Sequence, residues 1–399
     1  MKPKVVVVGC GVVGALIAYE LSVQLAEEID IHVVDGRPSA QISAPMSAAE
    51  SSTGAALGVL MGIISHKVKG RTWRLREASV RRYQSLIPEL KEQGYSVPFN
   101  GQGIVSLCFD EAKLLKWQTL KEKRQAQGWP LEIWSASELK QRCPQIALKN
   151  TRDSALRTVK AAIYSPADGQ VHPAELAQGA IAAAQSSGVT FHWDTAVTQL
   201  QMAGQRCTSV QTNKGDLEAH WVILSAGLGS AALTQHIAEN GIAEDGIAED
   251  GTAEPLALMP VLGQAMEIQL PEILGDKTFQ PVINGDDIQF VPLGEGRYWL
   301  GATVEFPTEE VPLTAESDGL KNLQAGGARF CPAIAQAKII QTWSGLRPRP
   351  VGQPAPVIKP LGNTENITLA TGHYRNGVLL APATAQQVCE LVKQADIAK

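Results

Sequence analysis

None of the six cysteines in the 399 residues stands in a CxxC pair. Neither a disulfide framework nor a zinc site is therefore suggested, and reduced, mostly buried thiols are expected. Excess positive charge is missing too. Lys and Arg total 35 against 40 Asp and Glu, a net charge of −5, which argues against a nucleic-acid partner. No apolar run approaches the length of a membrane span, and the longest weakly polar stretch, Thr53 to Ser65, is far too short. The opening MKPKVVVVGC imitates a lipoprotein leader, but its apolar run, Val5 to Gly9, is too short for one. A soluble, cytoplasmic protein is the expectation. Hydrophobic content of 44% and charged content of 19% describe a folded chain, long enough for two or more domains.

What is present begins with four β-branched residues, Val5 to Val8, the pattern of a strand buried on both faces. GCGVVG follows at once, then a helical stretch, then a second buried strand ending in Asp35. In this GxGxxG, Gly9 makes the tight turn and Gly11 lets backbone amides approach a pyrophosphate. Gly14 lets helix and strand pack closely, and Asp35, 21 residues on, is placed to accept ribose hydroxyls. Strand, helix and acidic terminus together predict a dinucleotide site, and the charge of Asp35 disfavours a 2′-phosphate. SSTGAALGVLMG, from Ser51 to Gly62, is rich in hydroxyls and small residues; it reads equally as a cofactor loop or an ordinary buried turn.

Further along, Arg71 to Gly94 reads as a long charged helix and HPAELAQGAIAAAQSSGV as another, with Pro173 in its first turn. AVTQLQMAGQRCTSVQTNKGDLEAHW alternates like a hairpin or meander. PVLGQAMEIQ, DIQFVP and RYWLGATVEF predict a second, antiparallel sheet. Between them, ENGIAEDGIAEDGTAEP repeats an acidic, glycine-punctuated unit, and residues 239–254 read as a flexible surface insertion. Near the end, TGHYRNGVLLAPAT sets Arg375 between Gly372 and Gly377, and a shielded guanidinium needs an anion.

The N-terminal unit, SSTGAALGVLMG, DGQVHPAEL, SAGLGS, TWSGLRP and GHYRNGVLLAPAT occur in the order found in D-amino-acid-oxidase-like flavoenzymes. The tail is most similar to the glycine oxidases of thiamine biosynthesis, where a GH-aromatic-RNG-aliphatic-LAP string is characteristic. The match spans nearly the whole chain; its first and last motifs are specific and its middle ones loose. The resemblance implies an α/β fold: a Rossmann-type FAD-binding domain with a second domain on a mainly antiparallel sheet. The flavin domain would take residues 1–85, 150–230 and 340–399, and the substrate domain 86–149 and 231–339. No cysteine follows WSGLRP where some sarcosine oxidases attach flavin, so the FAD is expected to be non-covalent.

The resemblance also implies roles. The turn contacts of FAD would be Gly9, Gly11, Val12, Val13 and Gly14, with Asp35 and Gly36 at the ribose. Ser52, Thr53, Leu57, Gly58 and Val59, then Val197, Ala226 and Gly227, would line its path. Gly372, His373, Tyr374, Arg375, Asn376, Gly377, Val378 and Leu379 would cross the flavin, the two glycines permitting close approach. Arg347 of WSGLRP pairs with the substrate carboxylate in the family, a match to a planar charged fork, with the solvated Arg349 as its competitor. Arg375 would lie near the substrate or else pair with a protein carboxylate. His373 reads as a backbone-pairing histidine, not a base. Gln289 stands where glycine oxidases place a substrate-lining tyrosine, a departure that opens the question of substrate; a glutamine can still donate to a carboxylate. The implied reaction is oxidation of a small amino acid or N-methyl amino acid with dioxygen as electron acceptor, giving hydrogen peroxide, in a chain that a homo-oligomer would also suit. A quinone-linked dehydrogenase of the same fold, or a flavin-binding protein without turnover, are the other readings.

Overall fold

The computed structural model describes residues 2–38, 51–148, 158–240, 256–307 and 314–395. The valine run forms β1 (Lys4–Val8) inside a six-stranded sheet, and the strand is buried on both faces beyond its first residue. The helix α1 (Val12–Leu25) follows, and β2 (Asp30–Val34) pairs parallel with β1 on one side. Trp221–Leu224 pairs parallel with β1 on the other, so the strand order reverses at β1. Open α/β sheets form their ligand crevice at such a reversal, outside the carboxyl ends of the strands. Ile367–Thr371 and the antiparallel Val357–Pro360 extend one flank, and Thr190–His192 the other.

α1 carries no one-sided apolar stripe because it is covered nearly all round. The sheet lies on one side, and the helices Pro173–Ser186 and Gly377–Gln394 pack against it. Even Glu20 on this helix is buried, and it is ion-paired to Arg82 of α2 (Gly70–Glu92).

The second sheet has eight strands in the order Lys338–Pro350, Leu258–Gln269, Arg297–Gly301, Ile288–Gly294, Val282–Gly285, Ile104–Cys108, Ala161–Ser165 and Glu132–Ser135. Every neighbouring pair is antiparallel except Val282–Gly285 with Ile104–Cys108. Val197–Ala203, Arg206–Thr212 and Gly215–Glu218 form the expected meander. The GIAED repeat lies outside the described residues; of the 239–254 insertion the helix Gly229–Asn240 includes only the first two positions. All six cysteines are buried and free. Among the described residues no helix is long and apolar enough to cross a membrane, and no cluster of residues is suited to hold a metal ion.

The loop after Met61, at the seam between the sheets, is clamped by two buried charges. Asp168 accepts the backbone N–H groups of Gly62, Ile63 and Ile64, each at 2.8 Å. Arg124 stacks 3.6 Å over the Trp73 ring and donates to the carbonyls of Ile63, Ser65 and Lys67. Each charge is thus satisfied by backbone, which is what keeps a buried ion tolerable.

Candidate active site

A cleft of about 1370 Å³ opens at the carboxyl end of β1 and runs to the eight-stranded sheet. It exceeds the roughly 300–1,000 Å³ of drug-sized sites and suits a dinucleotide with a small substrate beside it. Every residue expected at the cofactor lines it except Gly14, and so do Arg347, Arg375 and Gln289.

The dinucleotide turn is built by close backbone approach. Gly9 has φ +90°, and a Cβ there would lie 2.6 Å from Ala226 Cα; at Gly14 it would lie 2.0 Å from Gly9 O. Gly14 is therefore a packing glycine behind the cleft wall, the role the fingerprint gives its third glycine. Ser225 Oγ donates to the carbonyls of Val8 and Gly9, pinning the turn from the neighbouring strand. Thr53 Oγ1 accepts the Val12 N–H at the start of α1. This cradle fits a dinucleotide: small residues face the space, and Gly227, at φ +58°, has nothing within 4 Å of where a Cβ would sit.

Asp35 accepts from the Cys10 N–H at 2.6 Å, and Arg37 donates to it from both backbone N and Nε at 2.9 Å. Arg37, which stands only two residues on in the sequence, was not read as a site residue. It pairs with Asp35, so the carboxylate alone no longer argues against a 2′-phosphate.

The end of the cleft at the eight-stranded sheet gathers the two arginines and the glutamine. Arg347 lies on the strand Lys338–Pro350, and its Nη1 donates to the carbonyls of Leu262 and Thr303 at 3.1 and 3.0 Å. Its guanidinium lies flat over Gly263, where a Cβ would be 2.1 Å from Nη2. Burial, then the neighbouring Arg375, pushes its pKa below the ordinary value, yet an arginine so placed stays charged. Arg375 Nη2 is 3.9 Å from Asp287, whose side chain is 86% exposed. Arg349 does not line the cleft; it is exposed, 5.3 Å over the Phe306 ring and 5.9 Å over that of Tyr374.

Gln289 Nε2 donates to Asn284 Oδ1 at 2.9 Å, and Asn284 donates to Ser106 Oγ at 3.0 Å. Gln289 Oε1 is buried with no protein partner. The amide nitrogen is thus engaged within the protein, by Asn284 and by the Met61 sulfur at 3.6 Å, and the oxygen has almost no accessible surface of its own.

In GHYRNG the first glycine carries structural reasons of its own, and the histidine differs from expectation. Gly372, which lines the cleft, is also required by its φ of +67° and because a Cβ would meet Pro350 at 2.7 Å. At Gly377 the nearest atom is 3.7 Å away, so that position retains room for close approach. His373 pairs with a side chain and not with the backbone: its Nε2 lies 2.9 Å from Thr384 Oγ1. Thr384 gives its own proton to Leu380 O, so His373 must be the donor through Nε2. Burial, with Arg71 nearby, drops the His373 pKa to about 3, so it is neutral and no base at neutral pH. The unfolded chain protonates this imidazole below about pH 6.5 and the folded one does not, so stability falls as pH drops from 6.5 towards 3. His373→Gln should flatten that slope by up to about 1.4 kcal/mol per pH unit, measured by urea unfolding at pH 4, 5, 6 and 7.

Sequence reasoning also missed Arg76, Asn284 and Gly263. A glycine inside a strand commonly marks a close approach, so Gly263 carried a signal. Arg76 carried none, being one of several arginines on a charged helix.

The pattern of the FAD dependent oxidoreductase family matches residues 4–391. Glycine oxidases of Geobacillus kaustophilus and Pseudomonas putida are 25% and 27% identical, each over 99% of this chain and 94% and 96% of their own length. The bifunctional protein ThiO/ThiG of Trichormus variabilis is 26% identical over 98% of this chain, which spans only 53% of that protein. Among solved structures, glycine oxidase of Bacillus cereus superposes with a TM-score of 0.79 at 22% identity, over 98% of this chain and 95% of that one. The fold is thus the one shared by those enzymes, and the cofactor is FAD. The chain belongs to the FAD dependent oxidoreductase family.

Proposed function

We propose that this protein oxidises a small amino acid or N-methyl amino acid to a 2-oxo acid and ammonia or amine, passing the electrons to dioxygen to give hydrogen peroxide. The observation that carries this is the arginine pair at the substrate end. Among the described residues, Arg347 hydrogen-bonds only backbone carbonyls, through Nη1, and the carboxylate within 4 Å of Arg375 is an exposed one at 3.9 Å. Two guanidinium groups so placed favour an anion brought from outside, and a planar fork suits a carboxylate. The glycine oxidase and ThiO/ThiG relatives support the same substrate class.

FAD, when bound, supplies the two-electron acceptor for the hydrogen on the substrate α-carbon. The chain's own residues position and discriminate. Arg347 fixes the carboxylate, and Arg375 adds charge beside it. Gln289, held by Asn284, shapes the cleft wall beside them. Neutral His373 takes no proton at neutral pH, so the amine must arrive neutral or lose its proton to water. Catalysis then rests on holding the α-carbon at the reacting distance.

The test is a peroxide-coupled screen of glycine, sarcosine, D-alanine, D-proline and L-proline, with anaerobic reduction followed at the flavin band. At least one should bleach the flavin and yield one peroxide per turnover. Bleaching without peroxide would move the protein to the dehydrogenases, and no bleaching by any of them would sink the proposal.

A further inference from the structure

Arg76, on α2, is 9% exposed and lines the same cleft. Its Nη1 donates to Met61 O at 2.6 Å and its Nη2 to Asn376 Oδ1 at 3.0 Å, while Nε is buried without a partner. Among the described residues no carboxylate lies within ion-pair distance of it. The acid that acts on it through space, Asp168, is already committed to three backbone N–H groups. Burial pulls its pKa down from the ordinary value, but a guanidinium starts so high that it remains a cation.

A buried cation without a paired anion is expensive, and a protein that keeps one usually has an anion for it. The position of Arg76 says where that anion would be. Asn376 stands immediately before the helix Gly377–Gln394, whose first residues Val378 and Leu379 also line the cleft. The same helix end is held against α2 by Tyr83 Oη, donating to Val378 O, and by Ser79 Oγ, accepting from the Ala383 N–H. The positive end of a helix and a guanidinium therefore converge on one wall. Met61 joins that wall to the substrate end, since its sulfur lies 3.6 Å from Gln289 Nε2.

We propose that Arg76 is an electrostatic residue of the redox site: it faces the cofactor cleft to favour the negative charge that FAD gains when it takes two electrons and one proton. On this assignment it raises the reduction potential of the bound flavin without touching substrate. Fixed charges in a closed cleft act more strongly than in water, and they need no reorganisation when the electrons arrive.

The experiment compares wild type with Arg76→Met, Arg76→Gln and Arg76→Lys, each purified with FAD bound. The flavin potential is read by dye-coupled reduction without any amine, and the dissociation constant for sulfite is read at the flavin band. Arg76→Met should weaken sulfite at least tenfold and lower the potential by about 30 mV or more, the equivalent of tenfold for a two-electron couple. Arg76→Lys should recover most of both. Arg76→Gln keeps donors for Met61 and Asn376 but not the charge, so it reports the same shift should the methionine variant fail to fold. Unchanged potential and sulfite affinity in Arg76→Gln, with only stability altered, would overturn the assignment and leave Arg76 a clamp. Because no substrate enters either measurement, a failed amine screen would not count against Arg76, nor a failed potential shift against the amine.

Discussion

Gly263→Ala is expected to raise the substrate KM about a hundredfold while the flavin stays bound and the fold stays intact. The added methyl would sit 2.1 to 2.3 Å from the guanidinium atoms of Arg347 and from no backbone atom as near. The guanidinium is the free end of a flexible side chain, so it can move aside; the strand beneath it need not. It would leave the carbonyls of Leu262 and Thr303 that aim it, and an error of about 1 Å in a positioning group costs roughly 10²-fold. Arg347→Ala should cost more, about 3 kcal/mol in substrate binding, because the charged fork is lost outright. Joining the two changes should cost no more than Arg347→Ala alone, since both act on one interaction. Steady-state kinetics on the best substrate from the screen, with flavin content determined alongside, decides this. Loss of flavin in Arg347→Ala would show the arginine to be structural.

Gly14→Ala should abolish FAD binding and most soluble expression, whereas Gly11→Ala should keep the fold and weaken FAD. At Gly14 the new Cβ would be 2.0 Å from Gly9 O and 3.0 Å from Gly9 C, main chain that cannot yield without moving α1 off β1. α1 is covered on nearly every side, so that movement would disrupt several packed surfaces together, at a cost of several kcal/mol. At Gly11 the nearest atom is Thr53 Oγ1 at 3.1 Å, a hydroxyl that can turn away, though it then releases the Val12 N–H. Flavin content after gel filtration and the thermal midpoint of each variant separate the outcomes. A yellow, stable Gly14→Ala protein would contradict the packing role.

The cofactor half was readable because its signals are local. A valine run, a glycine turn, a helix and an acidic strand end lie within the first 35 residues, and each has one physical reason. Roles for the arginines come only through family resemblance, since nothing local marks Arg347 over Arg349. What resisted reading depends on residues far apart in the chain. Arg76 meets Asn376 across 300 positions, and Gln289 meets Met61 across 228. Gln289 reads as a donor because the type permits it, but Asn284 takes that donor within the protein. Gly372 has a second reason that no local signal shows, the closeness of Pro350 brought in from another strand.

Met61 gives its carbonyl to Arg76 and its sulfur to Gln289, so on the proposed roles one residue is shared by the group that sets how readily electrons are accepted and a group beside the substrate. Selectivity and driving force are then not independent traits. An engineered enlargement of the pocket at Gln289 or Met61 would drag thermodynamics along with preference, and a lineage drifting towards a new amine would have to retune both at once.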